Sequence, residues 1–190
     1  MSSKQNILNN IRLNLVSKAP MPDLADISPV QYEDKLAKFM EMVEAVGGRV
    51  MLLGNDDEIN AVIRLIYPTA SVVASSLPFI AADKNPDSVD EAADLADVDV
   101  GVLNGEIAVA ENGCIWIPQT MKERAIMFIS QALVIIVDKD KIVNNMHEAY
   151  AMIVDHSYGC FISGPSKTAD IAQALVMGAQ AARDVMVIVR

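Results

Sequence analysis

Cysteine is scarce in this chain of 190 residues, and its scarcity limits the kinds of site that the chain can form. Cys114 and Cys160 are the two cysteines, 46 positions apart, and each lies in an apolar run that predicts a strand. Two cysteines at this spacing give neither a disulfide framework nor a CxxC pair. The spacing argues against an iron–sulfur cluster bound by this chain alone, and we predict no metal site.

Aromatic residues and positive charges are also few. Only 5% of the residues are aromatic although 52% are hydrophobic, so aliphatic side chains and 11 methionines must fill the core of one α/β domain. The net charge of −10 disfavours nucleic acid as a partner, because phosphate contacts need clustered Lys and Arg. Much of the negative charge lies between Asp83 and Asp99, where a solvated loop is favoured over a metal site.

Long apolar runs are absent as well. The first residues, Met-Ser-Ser-Lys-Gln-Asn, lack the apolar core of a signal peptide. The longest aliphatic run, residues 132–137, is far too short to cross a bilayer. We therefore predict no membrane span and a cytoplasmic location.

Apolar spacing in the first 48 residues predicts two helices. The first is capped by Ser2 or Ser3, and its apolar residues fall on one face: Ile7, Leu8, Ile11 and Leu15. The second begins at Pro29 and ends at Gly47-Gly48. We predict a helical segment over residues 1–48, followed by an α/β domain over residues 49–190. One hypothesis is that the helical segment packs on a neighbouring subunit, as in a homodimer.

Strands and helices alternate after residue 48. The predicted strands are near residues 50–53, 71–75, 97–103, 107–110, 114–117, 133–137, 160–163 and 185–189. The predicted helices after residue 48 are near residues 56–65, 141–154 and 166–181. This rhythm predicts a mixed, mostly parallel sheet with helices on both faces. The pairs Asn104-Gly105 and Asn112-Gly113 between apolar runs each predict a hairpin.

The stretch Cys160–Ala172 predicts a short strand, a Gly-Pro break and a helix that opens with hydroxyl side chains. Free backbone N–H groups at such a helix start bind anions well. The candidate substrate- or anion-binding residues here are Ser163, Gly164, Ser166, Lys167 and Thr168. Helix capping is an equally valid interpretation of the hydroxyls. The ligand class predicted is a small anionic organic acid or a phosphate-bearing molecule, and no particular cofactor is indicated.

Two further side chains are candidates for chemistry. Glu111 ends an apolar strand before an Asn-Gly turn, where it could be a general base or nucleophile, or only an exposed turn residue. Arg124 could bind a substrate carboxylate or form a surface salt bridge. We interpret His147 as a surface residue, and a solvated loop position is favoured for His156 over a proton shuttle.

Four segments together resemble the LUD-domain family, in its lactate-utilisation protein C group. They are Asp99-Val-Gly-Val, Ala108-Val-Ala-Glu-Asn-Gly-Cys-Ile, Arg124 with the following Ile129 and Leu133-Val-Ile-Ile-Val, and the string from Ile162-Ser-Gly-Pro-Ser-Lys-Thr-Ala-Asp-Ile to Gly178. The place of Arg124 in the family pattern favours its functional interpretation. The resemblance implies a NagB/RpiA/CoA-transferase-like fold. It also implies a role in oxidising L-lactate to pyruvate beside separate iron–sulfur subunits.

The chain departs from the family pattern at two positions. Leu133 and Gln180 stand where the family usually has histidine, so mechanisms that need those imidazoles do not transfer to this chain. Glu111-Asn112-Gly113 also resembles the Glu-Asn-Gly turn of class I CoA transferases, in which the Glu forms a thioester with CoA.

Three hypotheses about function follow from these residues. The first is a subunit or accessory component of L-lactate oxidation, with partner iron–sulfur subunits. The second is a stand-alone CoA-transferase- or sugar-phosphate-isomerase-like enzyme that uses Glu111. The third is a non-catalytic scaffold subunit, which the two absent histidines favour.

Overall fold

The computed structural model describes residues 2–15, 28–153, 158–169 and 175–190. Its helices in these ranges are α1 Ser3–Leu13, α2 Lys35–Ala45, α3 Asp56–Ile66, α4 Ile126–Ile129 and α5 Met146–Met152. Its strands are β1 Arg49–Leu52, β2 Val73–Ala74, β3 Val100–Gly105, β4 Ile107–Val109, β5 Ile115–Pro118, β6 Ala132–Val137, β7 Ile142–Val143, β8 Gly159–Ile162, β9 Lys167–Ala169, β10 Leu175–Met177 and β11 Asp184–Val189. Short 3-10 turns occupy Ala92–Leu95 and Lys139–Lys141.

The central sheet has five strands in the order β1-β11-β6-β3-β2, and every pair in it is parallel. β6 pairs along its whole length with both β3 and β11. All six of its residues are buried, as expected of an aliphatic strand that is covered on both faces. The predicted α/β class with a mostly parallel sheet is confirmed.

Helices cover both faces of the central sheet, as predicted. On one face, Ile59 and Ile63 of α3 pack with Val134 of β6. On the other face, α2, α4 and a second sheet form the larger core, which includes Phe39 of α2 and Ile135 of β6. Alternate residues of β6 enter the two clusters, because successive side chains of a strand point to opposite faces.

The second sheet has the order β7-β4-β5-β8, in which β4–β5 and β5–β8 are antiparallel and β7–β4 is parallel. The turn at Asn112-Gly113 joins the antiparallel strands β4 and β5, which confirms that hairpin. The hairpin predicted at Asn104-Gly105 is wrong, because both residues belong to β3 and the chain continues into β4. A Cβ on Gly105 would lie 2.4 Å from Cγ2 of Ile115, so the glycine there permits close packing.

The first two helices differ in how they are buried. α1 is capped by Ser2 as predicted, and none of its residues is buried. α2 starts at Lys35 and not at Pro29 as predicted, because the Asp34 carboxylate accepts from the Ala37 N–H at 3.0 Å and caps the helix there. Phe39 of α2 is buried in the larger core, so α2 packs with the α/β part. The division at residue 48 stays a prediction.

The helix predicted over residues 166–181 is wrong for the described part of that range. β9 and β10 pair there as an antiparallel ribbon, Lys167–Ala169 with Leu175–Met177. The Ser166 N–H donates to the Ala182 carbonyl at 2.8 Å, and the Gly178 N–H donates to the Ser166 carbonyl at 2.9 Å. These bonds give the backbone partners that a helix would otherwise supply.

Carboxylates of the acidic stretch between Asp83 and Asp99 bind a neighbouring backbone segment and a lysine. Asp99 accepts from the N–H groups of Ser71 and Val72 at 2.7 and 3.0 Å, and Lys84 pairs with Asp97 at 2.6 Å.

No described residues form a cluster of three or more metal-ligating side chains. None of the helices in the described ranges has the length and apolar character needed to span a bilayer.

Candidate functional site

A cavity of about 490 Å³ lies between β8 and the amino ends of the central strands β6 and β11. We call it the β8 cavity. Cys160, Phe161 and Ile162 of β8 line one side of it. Leu133 and Val185, near the starts of β6 and β11, also line it, and α4 adds further apolar side chains. The cavity thus lies at the amino edge of the parallel sheet, whereas ligands of open α/β sheets usually bind at the carboxyl edge.

An ion network occupies the carboxyl edge of the central sheet. The Arg190 guanidinium, just after β11, bonds to Asp138 at 2.7 Å and also to Asp56 at the start of α3. The same guanidinium lies 5.2 Å from the ring centroid of Phe79. These contacts tie the ends of three elements together, which is a structural role.

Four of the five turn residues predicted from the sequence line the β8 cavity. They are Ser163, Gly164, Ser166 and Lys167. Thr168, in β9, is not among the lining residues. The turn thus lies beside a cavity, and it leads into a strand and not into a helix.

Polar side chains of this turn form hydrogen bonds that hold the turn in place. The Ser163 hydroxyl donates to the Asn112 carbonyl at 3.0 Å, and the Lys167 ammonium donates to the Val46 carbonyl at the C-terminus of α2. A cation is favourable at a helix C-terminus. Gly164 has φ +62°, and a Cβ there would lie 2.6 Å from the Val46 oxygen, so both conformation and space require glycine.

Leu133 and Gln180, the two positions at which the resemblance expects histidine, line the same cavity. Leu133 is buried and Gln180 is exposed. The wall therefore carries an aliphatic and an amide side chain at these positions, neither of which transfers protons near neutral pH. His147 is exposed on α5 and does not line the cavity, and His156 lies outside the described residues.

Glu111 does not line the β8 cavity. Its Oε1 accepts from the Met146 N–H, the first residue of α5, at 2.7 Å, and its own N–H donates to the Asn144 carbonyl at 3.0 Å. A carboxylate is favourable at a helix N-terminus, because the unpaired N–H groups and the helix dipole both attract negative charge. The neighbouring Asn112 contacts Ser163, but the Glu111 carboxylate binds α5.

Arg124 lies just before α4 and is exposed. Its guanidinium carbon is 4.5 Å from the ring centroid of Tyr158, which is a cation–π arrangement. Arg124 is absent from the cavity lining. Its role toward an anionic substrate stays a prediction.

The comparisons with known proteins identify the family. A family model for the LUD domain matches residues 82–189. The chain belongs to the LUD-domain family. It is similar to lactate utilization protein C of Oceanobacillus iheyensis, at 32% identity over 89 residues, which cover 42% of this chain and 38% of that protein. The chain thus matches well under half the length of that curated relative.

A solved structure gives the same fold. This LUD-domain protein is similar to a DUF162 family protein from Deinococcus radiodurans, with a TM-score of 0.64 at 17% sequence identity. The match covers 85% of this chain and 99% of the other. The LUD match includes Glu111, Arg124 and the whole lining of the β8 cavity.

Sequence reasoning missed the α4 wall of the cavity. Met127 and Phe128 line it, and Ile126 beside them is fully buried. Four consecutive apolar residues, Ile126–Ile129, were the available signal, but a single helical turn is too short for periodicity to reveal.

The thiols of this LUD-domain protein are not activated. Burial raises the pKa of the Cys114 thiol to about 12 and also raises the pKa of Cys160, which lines the cavity. Reactive cysteines have a lowered pKa, because the thiolate is the nucleophile. Neither thiol fits a catalytic role.

Proposed function

We propose that this LUD-domain protein is a subunit or accessory component of L-lactate oxidation to pyruvate that works with separate iron–sulfur subunits. The family and the name of the relative support a lactate-utilisation role. The observation that carries the proposal is that the Ser163–Lys167 turn, part of the string that resembles the family, lines one cavity together with Leu133 and Gln180.

The cysteine content supports the assignment of the clusters to partner subunits. Oxidation of lactate to pyruvate releases two electrons, which need an acceptor. An iron–sulfur cluster is held by several thiolates, typically four. This chain has two cysteines, and the pKa of each is raised by burial. The small number of thiols supports our proposal that iron–sulfur subunits on separate chains accept these electrons.

The size and charge of the β8 cavity favour a binding role over lactate chemistry. Lactate has six non-hydrogen atoms. If each atom is given roughly 30 Å³, the share of one water molecule in the liquid, lactate fills less than half of the cavity volume of about 490 Å³. Lys167, the one cation in the described lining, donates to the carbonyl of Val46. Leu133 and Gln180 add no proton-transfer group. These observations favour a non-catalytic subunit as the second candidate.

A small anionic organic acid or a phosphate-bearing molecule is still the ligand class we propose for the β8 cavity. Ser166 and Gln180 contribute a hydroxyl and an amide side chain to the lining. A thermal-shift screen with lactate, pyruvate and sugar phosphates tests this class. Stabilisation that is lost in Gln180→Ala supports it, and the absence of any shift contradicts it.

The alternative, a stand-alone CoA-transferase- or sugar-phosphate-isomerase-like enzyme, requires the Glu111 carboxylate to reach a ligand. That carboxylate accepts from the Met146 N–H and lies outside the cavity lining. Incubation with acyl-CoA followed by mass spectrometry tests the CoA-transferase form. A covalent adduct on Glu111 would establish it against our proposal.

Genetic deletion in the source organism tests the proposed pathway. We expect the deletion strain to lose growth on L-lactate as sole carbon source, to keep growth on pyruvate, and to recover with the wild-type gene. A tagged chain from lactate-grown cells should purify with iron and acid-labile sulfide, whereas the chain expressed alone should not. Unchanged growth on L-lactate after deletion would contradict the proposal.

A further inference from the structure

A further cavity, of about 220 Å³, lies at the amino edge of the central sheet on its α3 face. We call it the Arg183 cavity. Ala132, the first residue of β6, lines it, whereas Leu133, the second, lines the β8 cavity. Successive side chains of a strand point to opposite faces of the sheet. The Arg183 cavity and the β8 cavity are therefore separate sites on opposite faces.

Residues of opposite charge line the Arg183 cavity at two strand starts. Asp99 directly precedes β3 and Arg183 directly precedes β11, while Gln131 precedes β6 between them. The Arg183 N–H donates to the Gln131 carbonyl at 3.0 Å, which joins two of these residues. The Ala132 N–H donates to the Asp99 carbonyl at 2.9 Å, which joins the third. Neighbouring strands lie about 4.8 Å apart, so this row places the backbones of Asp99 and Arg183 about 10 Å apart.

The Asp99 carboxylate is held in place with one oxygen left for a ligand. Its Oδ2 accepts from the N–H groups of Ser71 and Val72, whereas its Oδ1 accepts from no described residue. Arg183 is exposed and forms no ion pair with a described carboxylate. The two side chains thus offer a carboxylate oxygen and a guanidinium that the described part of the chain does not use.

A second carboxylate at the cavity, that of Asp184, is neutralised by its own chain. The Arg49 guanidinium donates to it and also to the Tyr67 hydroxyl, at 3.1 Å. Burial raises the pKa of the Tyr67 phenol well above its ordinary value, so the phenol is neutral. The charges left for a ligand are one negative and one positive. A simple anion would be repelled by Asp99 and a simple amine by Arg183, whereas a molecule that carries both charges is attracted at each end.

The volume of the Arg183 cavity suits a very small molecule. L-Alanine has six non-hydrogen atoms, and at roughly 30 Å³ for each atom it fills most of the cavity volume of about 220 Å³. The uncharged walls include the short side chains of Ala70, Val100 and Ala132. The ammonium and carboxylate of an α-amino acid are joined through one carbon atom, and a hydrogen bond of about 2.9 Å at each end lets them reach from Asp99 to Arg183.

We propose that the Arg183 cavity binds a small α-amino acid of about the size of alanine. The Arg183 guanidinium binds the carboxylate of the amino acid through paired hydrogen bonds. The open Oδ1 of Asp99 accepts from the ammonium group. The Gln131 side chain, which lies between them in the row, donates its amide to the carboxylate. The proposal does not depend on the lactate role, because it uses neither the β8 cavity nor an oxidation step.

Isothermal titration calorimetry of the purified full chain tests the charge requirement. Each comparison ligand lacks one charge of L-alanine: propionate and L-lactate lack the ammonium group, and L-alaninol lacks the carboxylate. We expect L-alanine to bind. We expect each of the three comparison ligands to bind at least about tenfold more weakly, because each leaves one charged side chain of the cavity unpaired.

Variants that remove one charge test the two side chains. Arg183→Gln and Asp99→Asn each keep a polar side chain, and the second keeps an oxygen for the backbone N–H groups that Asp99 binds. We expect each to weaken L-alanine binding by more than about tenfold. Arg12→Gln and Asp140→Asn are the matched controls and should leave the affinity unchanged, because Arg12 is exposed on α1 and the Asp140 side chain is 78% exposed. Thermal melts confirm that the variants fold.

Three results would overturn the proposal. The first is no binding of L-alanine, glycine or L-serine at concentrations up to about 10 mM. The second is binding of propionate, L-lactate or L-alaninol as tight as that of L-alanine, which would make the cavity a site for a simple anion or a simple amine. The third is L-alanine binding that Arg183→Gln and Asp99→Asn leave unchanged, which would place the amino acid elsewhere.

Discussion

Three polar side chains hold separate elements of the fold in place. Glu111 caps α5, Lys167 binds the C-terminal carbonyl of α2, and Ser163 bonds to the Asn112 turn. Lys167 and Val46 are 121 positions apart, and the sequence has no signal for a contact of that range. Residue type alone could therefore predict that these side chains are polar and near a turn, but not what they bind.

Gly159 provides a sharp test of packing at the residue scale. A Cβ at this position would lie 2.1 Å from Cζ2 of the Trp116 indole, far closer than atoms in contact can lie. We expect Gly159→Ala to lower the free energy of unfolding by about 1–3 kcal/mol, since overpacking forces side chains and backbone to shift. Urea unfolding followed by fluorescence of Trp116, the single tryptophan, measures it. Gly54→Ala is the control, because nothing lies within 4 Å of its Cβ position, and an equal loss there would refute the packing argument.

Cys114 provides a chemical test at the same scale. Burial raises the pKa of its thiol to about 12, so at pH 8 the folded protein holds almost none of the thiolate. In the Cys160→Ser variant we expect iodoacetamide to react with folded Cys114 at least about 100-fold more slowly than with the urea-unfolded chain. Mass spectrometry of timed samples measures both rates, and equal rates would contradict the burial of this thiol.

Elements were predicted well where the local sequence signal was clear, and poorly where local signals competed with distant pairing. The continuous aliphatic strand β6, buried on both faces, and the Ser2 cap of α1 follow from the sequence. The pairing of β9 with β10 does not, because the two strands are fixed by bonds to each other and by the bond from the Ser166 N–H to Ala182. The hairpin predicted at Asn104-Gly105 was wrong for a similar reason, because Gly105 allows close packing against Ile115 and does not form a turn.

Glu148 joins the segment before α2 to the start of α5, and this link should depend on pH. Its carboxylate accepts from the Asn144 N–H and from the Gln31 amide, each at 2.8 Å. Burial alone would raise the pKa of Glu148, but these hydrogen bonds outweigh it and lower the pKa below 4.5. A lowered pKa in the folded state means that the link stabilises the protein above about pH 4.5 and is lost as the pH falls through the folded value.

We therefore expect Glu148→Gln to lose about 1 kcal/mol of stability at pH 7, and the difference from wild type to shrink toward about pH 3. Urea unfolding at both pH values measures it. Glu41→Gln is the control, because the Glu41 side chain is 65% exposed in a surface pair with Lys38 and should change little. A deficit for Glu148→Gln that is the same at both pH values would refute the ionic explanation.

The overall architecture of the molecule could be predicted from the sequence, but the position of the β8 cavity could not. Alternating strands and helices predicted the α/β class, and the central sheet has that form. The separate second sheet depends on pairing between β5 and β8, some 45 positions apart, which leaves no local signal. The β8 cavity forms where this sheet meets the amino ends of β6 and β11, so only the folded chain reveals it.

The central claim is that the β8 cavity, and not the Glu111 carboxylate, carries the function. The most direct test is the L-lactate oxidation rate of the deletion strain complemented with Gln180→Trp or with Glu111→Gln at matched protein levels. Gln180 is exposed at the cavity, so a tryptophan there fills space without disturbing the core. We predict a loss of more than about tenfold for Gln180→Trp and a change within about twofold for Glu111→Gln. Full activity of Gln180→Trp together with an inactive Glu111→Gln would contradict the account.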